Sequence, residues 1–70
     1  MSEEIKKLKE VGRGEPDPNL KKKAIDTLAA YGNSEAIKAI VEIVDMTRFL
    51  EVKEYGLEAI KRIKEEKVNK

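Results

Sequence analysis

The chain is predicted to be an all-α protein of four antiparallel helices arranged as two hairpins, a short α-solenoid or bundle. Three observations predict it. Apolar residues recur every three or four positions in four separate stretches. Turn-forming residues at Gly12 to Asn19 and at Gly32-Asn33, with a weaker break at Asp45 to Arg48, separate those stretches. A single offset of 32 residues lays the first two stretches on the last two. Nothing alternates at period two over a useful length and aromatic residues are only 4% of the chain, so strands are disfavoured.

The first helix is carried by Ile5, Leu8 and Val11, the second by Leu20, Ala24, Leu28 and Tyr31. The third is carried by Ile37, Ile40, Val41 and Val44, and the fourth by Val52, Gly56, Ala59, Ile60 and Ile63. Ser2 and Ser34 are expected to accept from the free amides of a first turn, and Asp17 before Pro18 places a cap ahead of a residue whose φ is already set for N1. Gly12 and Gly32 are expected at left-handed positions that end the first and second helices. At the 32-residue offset Ile5, Leu8 and Val11 fall on Ile37, Ile40 and Ile43, while Leu20, Ala24, Ile25, Leu28 and Tyr31 fall on Val52, Gly56, Leu57, Ile60 and Ile63. The expected organisation is one domain over residues 1–70, with repeat 1 at about 2–32 and repeat 2 at about 34–66.

With 70 residues the chain buries roughly 60% of its unfolded surface at most, so the core is small. There is no cysteine and no histidine, which removes disulfides, thiolate ligands and the side chain that most often binds metal or shuttles protons at neutral pH. Charged residues are 41% of the chain, yet 15 Lys and Arg against 14 Asp and Glu leave a net charge of +1, so a charged partner must be met by a local patch. No apolar run reaches the ~18 residues of a membrane span and the first residues lack the order of a signal peptide, so a cytoplasmic location is expected. The Lys, Glu and Ile bias without Cys, Gln, His or Trp is thermophile-like.

The run from Asp17 to Ile37, with its Asp-Pro turn, Ala-rich second helix and Gly32-x-x-x-Ala36-Ile37 step, resembles a HEAT-like repeat of the short type found in phycobilisome-lyase-like proteins. The resemblance covers about residues 17 to 64. The second copy departs from it, with Phe49-Leu50 where the first has Asp17-Pro18. Tetratricopeptide repeats are disfavoured by their period of ~34 and by the missing aromatic signature. The resemblance implies a right-handed stack whose second helices line a concave, partner-binding face. On this chain that face would comprise Lys22, Asp26, Ala29, Glu54, Glu58 and Arg62, with Glu58 and Arg62 oriented for an intrahelical pair. Some HEAT-repeat enzymes are hydroxylases with His-Glu metal ligands, a site that a chain without histidine does not inherit.

Both ends of the stack read as adapted to water. Lys7, Lys9 and Gly12 stand where the third helix has Ala39, Val41 and Val44, and Lys61 and Arg62 where the second has Ala29 and Ala30. A self-capped monomer is expected. A basic edge made of Arg13, Lys21, Lys22, Lys23, Arg48 and Lys53 suggests contact with a nucleic-acid backbone, set against a solvated helix face with Lys22 paired to Asp26. Met46 and Phe49 read as a helix-end staple, and Tyr31 and Tyr55 as core-edge residues with wet hydroxyls. The exposed carboxylates lack a nucleophile, a base or a phosphate loop, so no catalytic residue, cofactor or metal is expected. The leading expectation is a protein-interaction module that presents its second and fourth helices to a protein or peptide. Nucleic-acid binding, and a structural or designed miniprotein with no partner, are its rivals.

Overall fold

In a computed structural model, which describes residues 3–68, four helices follow one another: α1 (Glu3–Gly14), α2 (Pro18–Tyr31), α3 (Ser34–Met46) and α4 (Leu50–Val68). Each start and stop has a local cause. Glu3 and Glu4 occupy the first turn of α1, where carboxylates suit the positive end of the helix dipole. At α2, Asp17 accepts from the Asn19 amide at 2.9 Å and Pro18 sits at the first helical position. Gly32, with φ 64°, ends α2 by donating its amide to the Leu28 carbonyl at 3.4 Å, a conformation that a side chain would strain. The α3 cap is Asn33, not Ser34 as expected: Asn33 accepts from the Ala36 amide at 2.8 Å, and Ser34 is the first helical residue. Ser2 lies outside the described residues.

The turn before α4 lacks a capping carboxylate, yet its backbone follows the turn before α2. Asp17 O accepts from the amides of Leu20 and Lys21, and 32 residues later Phe49 O accepts from those of Val52 and Lys53, each at 3.1 Å. The Glu15 amide bonds to Val11 O as the Thr47 amide bonds to Ile43 O. Glu15 Oε1 accepts from the Asp17 amide at 3.4 Å, and Thr47 Oγ1 from the Phe49 amide at 3.2 Å. Half-buried Phe49 packs against the core, whereas Met46 stays exposed.

The helices form two layers, α1 with α3 and α2 with α4, and α2 also packs on α3. Among the described residues no Cα pair within 8 Å joins α1 to α4. The two middle helices therefore have three neighbours each and the outer two have only two. Helix α3 supplies half of the buried cluster: Ala36, Ala39, Ile40, Ile43 and Val44. Ile5, Ile25, Leu28, Val52 and Ile63 close it, and each fully buried aliphatic side chain stabilises by about 1.5–3 kcal/mol. The Cα radius of gyration, 11.1 Å, is that of a compact chain of this length.

Two glycines set how closely these helices approach. Gly12 is not a helix terminus as expected but an interior residue of α1, buried against α3, where an added Cβ would lie 2.7 Å from Ile43 Cγ1. Gly56 plays the same part in α4, where a Cβ would collide with Val44 and crowd Ile40 at 3.4 Å. Val11, Leu20 and Val41, counted on the apolar stripes of their helices, are more than a third exposed, and Tyr31 sits at the edge of the core as expected.

Candidate functional site

Helices α2 and α4 run side by side with small residues between them, Ala29 and Ala30 on α2 and Ala59 on α4. Short side chains there leave an open groove of about 580 Å³ whose floor ends on the buried Ile63. Its walls carry Asp26 from α2 and Glu51, Glu54, Glu58 and Glu66 from α4, with Arg62 as the cation among the lining residues. Asp26, Ala29, Glu54, Glu58 and Arg62, implied for the concave face by the resemblance, are thus brought together, and Lys22 stands at the rim. Ala30, Glu51, Tyr55, Ala59, Ile63 and Glu66 complete the lining and were not expected there. Glu51 and Glu66 carry no signal beyond their helical spacing, and Tyr55 reads equally well as a core-edge residue.

The groove is tied across at one end. The Tyr55 hydroxyl donates to Asp26 Oδ1, joining α4 to α2. Lys22 Nζ donates to Glu51 Oε2 at 3.1 Å and lies 5.8 Å from the centroid of the Tyr55 ring, so one ammonium is held by a carboxylate and an aromatic face together. This is not the expected Lys22–Asp26 pair within α2; the partner comes from the neighbouring helix, and Asp26 serves Tyr55 instead. The hydrogen bond to Asp26, with desolvation and the carboxylate charge adding to it, raises the Tyr55 pKa, and Arg62 works weakly against them. On the far side of the molecule the Tyr31 hydroxyl donates to Glu4 Oε1 at 2.9 Å, and that bond raises the Tyr31 pKa.

The fold brings part of the basic edge together and turns other members to internal partners. Arg13, Lys21 and Arg48 do border one shallow depression at the loop-bearing edge. Lys21, however, is buried, and its Nζ donates to Gly12 O at 2.8 Å and to Arg13 O at 3.3 Å. An ammonium from α2 thereby satisfies carbonyls that the end of α1 leaves open, where the helix dipole favours a cation. Arg13 points a guanidinium nitrogen to Glu42 at 3.8 Å, next to the Lys9–Glu42 pair at 3.2 Å. Lys23 and Lys53 stay exposed, and neither borders the depression.

Among the described residues no three or more of the His, Cys, Asp and Glu side chains group as metal ligands would, and no helix is long and apolar enough to cross a membrane. Compared with known proteins, the chain matches no family model, no curated protein and no solved structure.

Proposed function

We propose that the chain is a small HEAT-like interaction module that presents α2 and α4 to a protein or peptide partner. The observation that carries the reading is the groove itself, about 580 Å³ of open space floored by alanines and walled by charged side chains on two rigid helices. Grooves between packed helices are common recognition surfaces, because the scaffold pre-organises the contacts and little ordering entropy is lost on binding. No catalytic step is part of the reading. The nucleic-acid alternative is weakened by Lys21, whose ammonium serves the end of α1.

The test is to select peptides on the immobilised protein from a random library and to measure their affinity for Ala30→Trp, which fills the groove at an exposed position. The selected peptides are expected to lose binding to the variant while its thermal melt is unchanged, and to shift backbone amides of α2 and α4 in the wild-type protein. Undiminished binding to Ala30→Trp, or an amide footprint away from α2 and α4, would overturn the reading.

A further inference from the structure

The solvent-facing surface of α4 is divided along its length. On the groove side stand Glu51, Glu54, Glu58 and Glu66 with Arg62 among them, and on the opposite side the spacing of the helix places Lys53, Leu57 and Lys64. The carboxylates follow one another as near neighbours, Glu51 with Glu54 and Glu54 with Glu58, a like-charge arrangement that helices disfavour. Arg62, four residues from Glu58 and from Glu66, relieves part of it, and with Asp26 the lining still carries five carboxylates against that one cation. From Glu51 to Glu66 the acidic wall runs about 22 Å, with Asp26 facing it from α2. Carboxylates spread in this way are not gathered to ligate one ion; they match charges distributed along a chain.

The molecule already shows how this wall holds a lysine. Lys22 Nζ sits against Glu51 Oε2 at 3.1 Å with the Tyr55 ring 5.8 Å away. Beyond that end, Glu54, Glu58 and Glu66 offer the same acceptor chemistry beside the apolar floor of Ala29, Ala59 and Ile63. We infer that the groove takes a cationic segment of a protein partner, in which lysines or arginines alternate with aliphatic side chains. Extended, about seven residues of such a segment span the wall. Its cations lie against Glu54, Glu58 and Glu66, and its aliphatic side chains lie on the alanine floor. The inference rests on the proposed interaction function and names the chemistry of its partner.

The test titrates the protein into three fluorescein-labelled heptapeptides, Lys-Leu alternating, Glu-Leu alternating and Ser-Leu alternating, and follows backbone amide shifts with the unlabelled peptides. The Lys-Leu peptide is expected to bind, with shifts at Asp26 to Ala30 and Glu54 to Arg62, and to weaken by about tenfold between low and physiological salt. The combined Glu54→Gln, Glu58→Gln and Glu66→Gln variant is expected to weaken it by about tenfold or more, while Lys53→Gln with Lys64→Gln leaves it at least as tight. Groove shifts with the Ser-Leu or Glu-Leu peptide but not with Lys-Leu would overturn the cationic partner and leave the groove as a binding site. Lys-Leu binding that ignores the three glutamine substitutions would overturn the inference as non-specific attraction. No groove shift with any of the three peptides would overturn it as well, and if the library-selected peptides also miss α2 and α4, the proposed function falls with it.

Discussion

Helices α2 and α4 occupy equivalent places 32 residues apart, and their equivalent residues meet opposite fates. Ile25 is fully buried, whereas its counterpart Leu57 is 57% exposed. Lys21 is buried and bonded to the end of α1, whereas Lys53 lies in solvent. Both helices begin with the same backbone hydrogen bonds, to Asp17 O and to Phe49 O. The difference is positional: α2 has α1, α3 and α4 around it, and α4 has only α2 and α3. In a stack, the number of neighbours decides what an apolar position contributes, and periodicity alone does not reveal it.

The sharpest way to break this comparison is a matched pair of truncations. Ile25→Ala is expected to cost about 2–5 kcal/mol, comparable to the stability that a core of this size provides, as are Leu28→Ala and Ile40→Ala. Leu57→Ala is expected to stay within about 0.5 kcal/mol. Denaturant midpoints measure both, and equal losses at Ile25 and Leu57 would show that the two helices are not distinguished by their neighbours.

A smaller effect tests the two close approaches. Gly56→Ala forces a methyl group into Val44, and Gly12→Ala forces one into Ile43, so each is expected to destabilise by about 1–3 kcal/mol although alanine is the better helix former. A gain in melting temperature at either site would mean that the layers yield. Lys21 against Lys53 sharpens the comparison further. Lys21→Met removes the ammonium donor from Gly12 O and Arg13 O and is expected to cost about 1–3 kcal/mol, and Lys53→Met about 0.5 kcal/mol or less. Chemical denaturation of the two single variants side by side decides it.

The smallest effect is on pH. Tyr31 and Tyr55 have pKa values raised above 10.0 in the folded chain by bonds to Glu4 and Asp26. A raised pKa means that the folded state favours the neutral phenol. Any stability gained this way is fully present below the unfolded pKa of about 10 and is lost as pH rises through the folded values. Phenolate absorbance is expected to appear at higher pH in the native protein than in the unfolded chain, and Asp26→Asn should bring part of it back. Coincident folded and unfolded titrations would refute both hydrogen bonds.

Much of the architecture was legible because its causes are local. Asp17-Pro18 and Gly32 act through their own backbone and side chains, so their residue types announced the start and end of α2. Ser34 and Asn33 are both competent caps, and only the observed turn selects Asn33. Gly12 misled because a glycine that ends a helix and one that admits a neighbouring helix are the same letter. The acidic residues of the groove were partly legible, since the resemblance to a HEAT-like repeat implied Asp26, Glu54 and Glu58, while Glu51 and Tyr55 acquired their parts from Lys22 and Asp26 across the gap.

The sequence by itself determined that the chain is helical, where α2 begins and ends, and that two similar hairpins follow one another at a 32-residue interval, because capping, backbone freedom and apolar spacing act within a few residues. Only the tertiary structure decided which apolar positions are covered, which lysine is buried and which carboxylates share a groove. Those outcomes depend on which helices become neighbours, and burial and charge pairing are properties of that arrangement rather than of any single segment.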